Sequence, residues 1–290
     1  MGIFREIPPT AGFPLGLRNF FLSAGKSNES LQNSVKKYLN LPYAEITCSG
    51  TGALYLIMET IKDLSPKRTV IIPSFICPLV PLAIKRAGFN IKVCDIGTHD
   101  FNYNYSQLET LCTQDNDIVA VIACHLAGIP IDLQSLLSLT KNKNIFLIED
   151  AAQALGSSYQ GRPVGTWGDF ALFSLCRGKG MTLYEGGVVA TNNEYYGHFL
   201  DKKFKEIIKF DFLTEAKRLF ELLGYALFYR PLLFWGVFKL PQLYWEMRGN
   251  KIKALGEDFA INFPLHGVSQ MRKSIGQSQF HSLENRSNWY

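Results

Sequence analysis

Apolar positions between residues 44 and 191 recur in two alternating patterns. Short apolar runs, AEITCS (44–49), TVIIPSF (69–75), NIKVCDI (90–96), IVAVIAC (118–124) and NIFLIED (144–150), predict strands. Between them lie segments with helical spacing. GALYLIMETIKDL (52–64) places Leu54, Ile57, Met58, Ile61 and Leu64 at that spacing. PLVPLAIKRAG (78–88) opens with prolines and stops at a glycine, as helices do. SQLETLC (106–112) and DLQSLLSLTKN (132–142) read as two more helices. Two further β-like runs follow with little helix between them, FALFSL (170–175) and GGVVAT (186–191). Strands that are apolar throughout and separated by helices need cover on both faces. The expected fold is therefore α/β, a mostly parallel mixed sheet of about seven strands between helices, followed by a helical C-terminal segment.

After about residue 195 the pattern turns helical and irregular. The last recognisable helix is SQMRKSIGQSQFHSLENR (269–286). This divides the chain into a large domain (1–200), a helical, apolar and aromatic insertion (201–268) and a final segment (269–290). One stretch, Arg218 to Trp245, is apolar enough to raise the question of a membrane. Charges at Glu221, Arg230 and Lys239 and a proline at Pro231 interrupt it well short of the ~20 apolar residues of a spanning helix. It reads as a pair of short helices broken at Pro231. The alternative is a helix lying in a membrane interface, or a docking surface for a partner such as a glycosyltransferase.

Composition narrows the function classes. Hydrophobic residues make up 47% and charged residues 19%, which excludes a disordered chain. The excess of 30 Lys+Arg over 25 Asp+Glu is small and spread along the chain, so a nucleic-acid partner is not expected. The six cysteines, at 48, 77, 94, 112, 124 and 176, form no C-x-x-C pair and no zinc spacing. Reduced thiols and a cytoplasmic location fit them. MGIFREIPPT lacks an apolar signal core and a myristoylation serine, and the sequons at Asn28, Asn104 and Asn285 read as chance.

In α/β sheets functional groups collect at the carboxyl ends of strands. Four such ends carry chemistry here. Ser49-Gly50-Thr51-Gly52 follows a strand and opens a helix, an arrangement that offers free amides to a phosphate. It also makes an ordinary tight turn. Glu149-Asp150-Ala151-Ala152-Gln153 ends a strongly apolar strand with two carboxylates; Asp150 is either a helix cap or the partner of a buried cation. Ser174-Leu175-Cys176-Arg177-Gly178-Lys179 places a lysine just after an apolar strand, where it is either solvated or a candidate for Schiff-base chemistry. Pro73-Ser74-Phe75-Ile76-Cys77 ends a fourth strand, and Phe75 reads as core. Together a phosphate cradle, an aspartate for a pyridinium nitrogen and a lysine are what a pyridoxal-phosphate site requires.

The sequence resembles the DegT/DnrJ/StrS family of pyridoxal-phosphate-dependent nucleotide-sugar aminotransferases. The resemblance runs from IPPTAGFP (7–14) to about residue 286 and includes SGTGAL (49–54), VIIPSF (70–75) and HLAGIPID (125–132). It continues through EDAAQALGSSYQGRPVGTWGDFALFSL (149–175) and K-x5-EGG (179–187). The resemblance implies the fold-type I large domain and pyridoxal 5'-phosphate as cofactor. It implies an amino-acid donor, a nucleotide-linked keto-sugar acceptor and a homodimer. By position, it makes Lys179 the catalytic lysine that holds the cofactor covalently, and Asp150 the carboxylate at the pyridine nitrogen. Gln153 falls beside the ring. Gly50, Thr51, Gly52 and Ser174 fall at the phosphate. Lys179 separates the chain from a related dehydratase branch that carries His there.

Three departures accompany the resemblance. The family's ring-stacking aromatic is replaced by Cys77. Ala260 to Leu265 match the family's Asn-Tyr-Arg-Met segment only loosely, so Asn262 receives no role. The family's small C-terminal domain has no counterpart in these 290 residues. The first and third leave an alternative open, a non-catalytic or regulatory protein of the same fold.

Overall fold

The computed structural model describes residues 15–23, 29–231, 233–251 and 259–287. The IPPTAGFP stretch and the ends of the chain lie outside them. Helices α1 (Leu17–Ser23) and α2 (Leu31–Leu39) precede strand β1 (Tyr43–Thr47). Strands and helices then alternate: α3 (Gly50–Leu64), β2 (Thr69–Pro73), α4 (Leu79–Arg86), β3 (Asn90–Cys94), α5 (Tyr105–Gln114), β4 (Ile118–Cys124), α6 (Leu133–Lys143) and β5 (Phe146–Asp150). Side chains start the helices as physical chemistry requires. Ser49, Asn104 and Asp132 each accept a hydrogen bond from an amide of the following turn, satisfying donors that a helix leaves unpaired. Asn40 and Asn144 end α2 and α6 in the left-handed conformation, which asparagine tolerates.

A short hairpin, β6 (Ser158–Tyr159) and β7 (Arg162–Pro163), which the hydrophobic pattern does not announce, leads to β8 (Phe170–Ser174) and β9 (Gly187–Thr191). Seven strands form one sheet in the order β1-β9-β8-β5-β4-β2-β3. Neighbours from β3 through β2, β4 and β5 to β8 are parallel. β9 runs antiparallel between β8 and β1. The expected mixed sheet is therefore present, and its topology has a local result. β9 begins at the rim where β1, β5 and β8 end, so Gly187 pairs with Thr47 on one side and Ser174 on the other.

Both faces of the sheet are covered. On one, Ile57 and Ile61 of α3, Ile84 of α4 and Leu200 pack with Ile122 and Ile148. On the other, Val35 of α2 and Phe280 pack with Phe173 and Val188. Fully burying side chains of this size contributes about 1.5–3 kcal/mol each relative to exposure.

The remaining helices are α7 (Glu194–Ile207), α8 (Phe212–Phe228), α9 (Leu240–Met247, entered through a π turn at Trp235–Lys239) and α10 (Gln270–Ser287). The domain boundary expected after residue 200 falls inside α7, whose Leu200 belongs to the core of the sheet. Ile208, which caps α7, packs into the same core. α10 is also part of this body. Its Arg272 is fully buried, and Gln279 clasps Thr182 by accepting from the Thr182 amide and donating to the Thr182 carbonyl. α8 is tied in by Glu215, which accepts from the Ser269 amide at 2.6 Å and pairs with Arg272 at 3.1 Å. Helical structure is interrupted at Tyr229–Pro231, in keeping with the break expected at Pro231. Among the described residues, no helix is long and apolar enough to cross a membrane.

Candidate active site

A cavity of about 640 Å³ opens at the carboxyl rim of the sheet. Gly50, Thr51, Cys77, Asp150, Gln153, Ser174 and Lys179 all line it. Sequence positions more than a hundred residues apart are thus brought to one wall by the strand ends that carry them.

The Ser49 loop forms one corner. Ser49 Oγ caps α3 by accepting the Gly52 amide at 2.9 Å, and Thr47 Oγ1 donates to the Ser49 carbonyl at 2.9 Å. Gly52 is therefore not on the cavity wall. It is buried, its amide is consumed by the cap, and its role is to let the turn close beside Cys48. That corrects the expectation for Gly52. The amides of Gly50 and Thr51 donate to no acceptor among the described residues, and they open a helix of 15 residues. A Cβ on Gly50 would lie 3.4 Å from Ser174 Cβ, so the end of β8 abuts the start of α3. Free amides, a helix N-terminus and a hydroxyl make an anion cradle.

The two carboxylates at the end of β5 separate. Glu149 is fully buried and accepts the amides of Gly165, Trp167 and Gly168, each at 2.7 Å, and contacts His125 Nε2 at 3.1 Å. Because His125 Nδ1 accepts the Ile131 amide at 3.3 Å, Nε2 is the nitrogen that donates to Glu149. Asp150, also buried, lines the cavity and receives the Ala152 amide at 3.1 Å and the Cys124 thiol at 3.9 Å. Burial pushes its pKa up, against the Ala152 hydrogen bond and the charge of Lys179. A buried carboxylate with so few donors is short of a positive partner.

Lys179 follows Gly178, which takes a left-handed φ of 75° and turns the loop back. The loop is braced from several sides. The Leu175 amide donates to the Gly186 carbonyl and the Leu183 amide to the Leu175 carbonyl, each at 2.8 Å, the Arg177 amide donates to the Tyr184 carbonyl at 3.1 Å, and the Arg177 guanidinium lies 5.2 Å over the Tyr184 ring. Gln153 is oriented by the Ala127 amide, which donates to its Oε1 at 3.1 Å.

Phe75 is not core. It is 62% exposed, stacks on Phe101 at 6.4 Å, and stands outside the cavity, while Cys77 is exposed on the wall. The loop that carries it leaves the sheet before the aromatic can turn inward. All six cysteines are free, and no cluster of metal-ligating side chains occurs among the described residues.

Several wall residues escape the sequence reading. His125 stands at the carboxyl end of β4, the strand end that the reading passes over, and the same rule finds it. Glu185 and Arg218 form a 2.7 Å ion pair on the wall, and Asn262 also lines it. Asn262 arrives there because the strap 259–264 is pinned. Arg86 donates to the Phe263 carbonyl and lies 4.3 Å over its ring, and the Cys48 thiol donates to the Pro264 carbonyl at 3.4 Å. The loose family match at Ala260 to Leu265 is the one local signal for it.

The family model for DegT/DnrJ/EryC1/StrS aminotransferases matches residues 16–206. The chain belongs to that family. The match holds β1 to β9 and every residue expected at the site, and ends within α7. Among curated relatives, GDP-perosamine synthase of Escherichia coli O157:H7 is 33% identical over 172 residues, 59% of this chain and 46% of that protein. UDP-4-amino-4,6-dideoxy-N-acetyl-beta-L-altrosamine transaminase of Campylobacter jejuni is 31% identical over 179 residues, 61% of this chain and 47% of that protein. The matched region thus spans about half the length of these relatives. Spr1654 of Streptococcus pneumoniae, solved in a PMP-form, superposes with a TM-score of 0.67 at 19% identity, covering 97% of this chain and 68% of that one. The likeness of fold therefore continues past residue 206, through α8 to α10 of this DegT/DnrJ/EryC1/StrS family member.

Proposed function

We propose that the chain carries the cofactor site of a pyridoxal-phosphate-dependent aminotransferase that moves an amino group from an amino-acid donor, glutamate in our reading, to the keto-sugar of a nucleotide-linked sugar. Such amino-sugars feed surface polysaccharide synthesis. The observation that carries this reading is Asp150, a buried carboxylate on the cavity wall that is short of a cation, together with Lys179 and the free Gly50 and Thr51 amides on the same wall. The relatives named above are sugar-modifying aminotransferases and synthases by name, and Spr1654 is described in both PLP- and PMP-forms, which supports the cofactor and the substrate class.

The residues fit the group. When bound, pyridoxal phosphate supplies an electron sink for the bonds at the substrate carbon. Asp150 would hold the proton on the pyridine nitrogen, and the desolvation of its carboxylate is relieved by that cation. Gly50 and Thr51 amides and the Ser174 hydroxyl would hold the phosphate. Gln153, fixed by the Ala127 amide, would keep its side chain beside the ring. Lys179 Nζ would hold the cofactor in place, take the proton from the donor's carbon in one half-reaction and deliver a proton to the acceptor's carbon in the other. Cys77 on the wall offers packing in place of stacking.

The test is an absorbance spectrum of the purified protein with added pyridoxal phosphate, followed by borohydride reduction and peptide mapping. The expected result is a visible band and an adduct on Lys179, both absent in Lys179→Ala. An unchanged spectrum in that variant would overturn the assignment of Lys179. No band and no adduct in the wild type would favour the non-catalytic reading.

A further inference from the structure

α8 is apolar on its outward side as well as on its packed side. The packed side sets Leu222 and Ala226 in a hydrophobic cluster beside paired charge. Glu215 is buried against Arg272, and Arg218 is held between Glu185 and Glu221 at 2.7 Å each. Its outward face carries apolar side chains, with Leu213 79% and Phe220 78% exposed and Leu227 open as well. α9 continues the theme with Leu240, Tyr244 and Met247 exposed. A helix of a soluble protein normally shows water its polar face. One that pairs its charges inside and presents phenylalanine and leucine outside is matched to an apolar environment.

The charges left over on this stretch have one sign. Lys217, Arg230, Lys239, Arg248 and Lys251 form no ion pair among the described residues, against the single remaining carboxylate of Glu246. Arg248 lies 4.8 Å over the Tyr244 ring, so cationic and aromatic groups share the surface. Apolar area rimmed by cations has a specific complement. A second copy of these helices would bring five more unpaired cations and a single carboxylate, so it offers no charge complement there. An apolar layer under an anionic headgroup plane satisfies both features at once.

We propose that α8 and α9 dock the protein on an anionic lipid bilayer surface, lying in the interface without crossing it. Because Arg218 of α8 also lines the cavity, this docking sets the proposed active site beside the membrane. The proposal does not depend on the cofactor reading, and its test does not involve the cofactor.

The full chain is sedimented with vesicles of phosphatidylglycerol and phosphatidylethanolamine, with vesicles of phosphatidylcholine, and alone. The expected result is capture by the anionic vesicles only, partly reduced by salt, because screening weakens the charge contribution and leaves the apolar one. Brominated lipid in those vesicles should quench Trp245 fluorescence. Leu213→Glu with Phe220→Glu changes two exposed side chains and leaves the packed face intact. It should lower vesicle binding about tenfold or more, with circular dichroism unchanged. Lys217→Glu with Arg248→Glu should lower it comparably by removing charge attraction. Absence of binding to anionic vesicles, or binding by both double variants that equals that of the wild type, overturns the proposal. So does a dimer, seen in sedimentation velocity, that Leu213→Glu with Phe220→Glu dissolves while the wild type ignores vesicles.

Discussion

Glu149 and Asp150 are consecutive residues with opposite surroundings. Three amides and His125 converge on Glu149, whereas Asp150 receives one amide and a thiol on the wall of the cavity. Strand alternation sends neighbours to opposite faces, so one carboxylate braces the Gly165–Gly168 turn and the other is left to serve the cavity.

That contrast predicts a gain in stability from damaging the site. Burial raises the Asp150 pKa, so its ionised form is costly in the ligand-free protein at and above neutral pH, and the cost disappears as pH falls through the raised value. Asp150→Asn should raise the Tm of the ligand-free protein by about 2–4 °C at pH near 8, the shift that ~1 kcal/mol gives in a chain of this size. The gain should shrink on acidification. The same variant should bind pyridoxal phosphate about 10–100-fold more weakly, from loss of a charge-assisted hydrogen bond. Thermal melts across pH and a cofactor titration read both effects.

Gly187 is the second test. A Cβ there would lie 2.4 Å from the Ser49 carbonyl carbon and 2.6 Å from the Gly50 nitrogen, contacts that only a backbone shift relieves. Gly187→Ala should push the Ser49 loop off β9, lower stability by about 1–3 kcal/mol and weaken cofactor binding more than Ser174→Ala does. Urea unfolding and cofactor titration of the two variants make the comparison.

Cys77 lies exposed on the cavity wall, with space for a larger side chain at its open edge. Cys77→Phe should tighten pyridoxal-phosphate binding by up to about tenfold, the range that aromatic stacking covers. A weaker or unchanged Kd would show that the wall at Cys77 is not where the ring lies.

Arg272 joins α10 to α8 and to the Glu185 carbonyl. Burial raises the Glu215 pKa, but the His266 hydrogen bond and the Arg272 charge outweigh it and hold the carboxyl below its usual range. A depressed carboxyl adds stability above its unfolded pKa and loses it as pH falls through the folded one. Arg272→Ala should cost about 3–5 kcal/mol at neutral pH by leaving the buried Glu215 without its guanidinium. The difference from wild type should narrow below pH of about 4, where glutamates protonate in the unfolded chain. Denaturant midpoints at neutral and acid pH test the sign.

The sheet is legible in the sequence because its strands are apolar throughout and its helices repeat at 3.6 residues; each element there is fixed by local pattern. The wall of the site is legible where it is made of strand ends, as with Asp150, Ser174 and Lys179. It is not legible where distant segments arrive by packing. Asn262 is brought in by Arg86 and Cys48, and Arg218 by the buried pair of Glu215 and Arg272; neither neighbour lies near in sequence. Gly52 shows the opposite failure. A glycine beside a phosphate-like turn invites a binding role, but the cap uses its amide. Phe75 fails because an apolar residue after a strand reads as core, and here the chain has already left the sheet.

The antiparallel placement of β9 has a consequence for assembly. Ser49, Ser174 and Gly187 meet only when β9 has slotted between β8 and β1, the edge strand of the sheet. The proposed anion cradle is thus incomplete until β9 is in place. If phosphate is held there as proposed, it would bind the closed sheet alone, so by mass action it would latch β1 against fraying, and its affinity would gauge how completely the last strands have zipped.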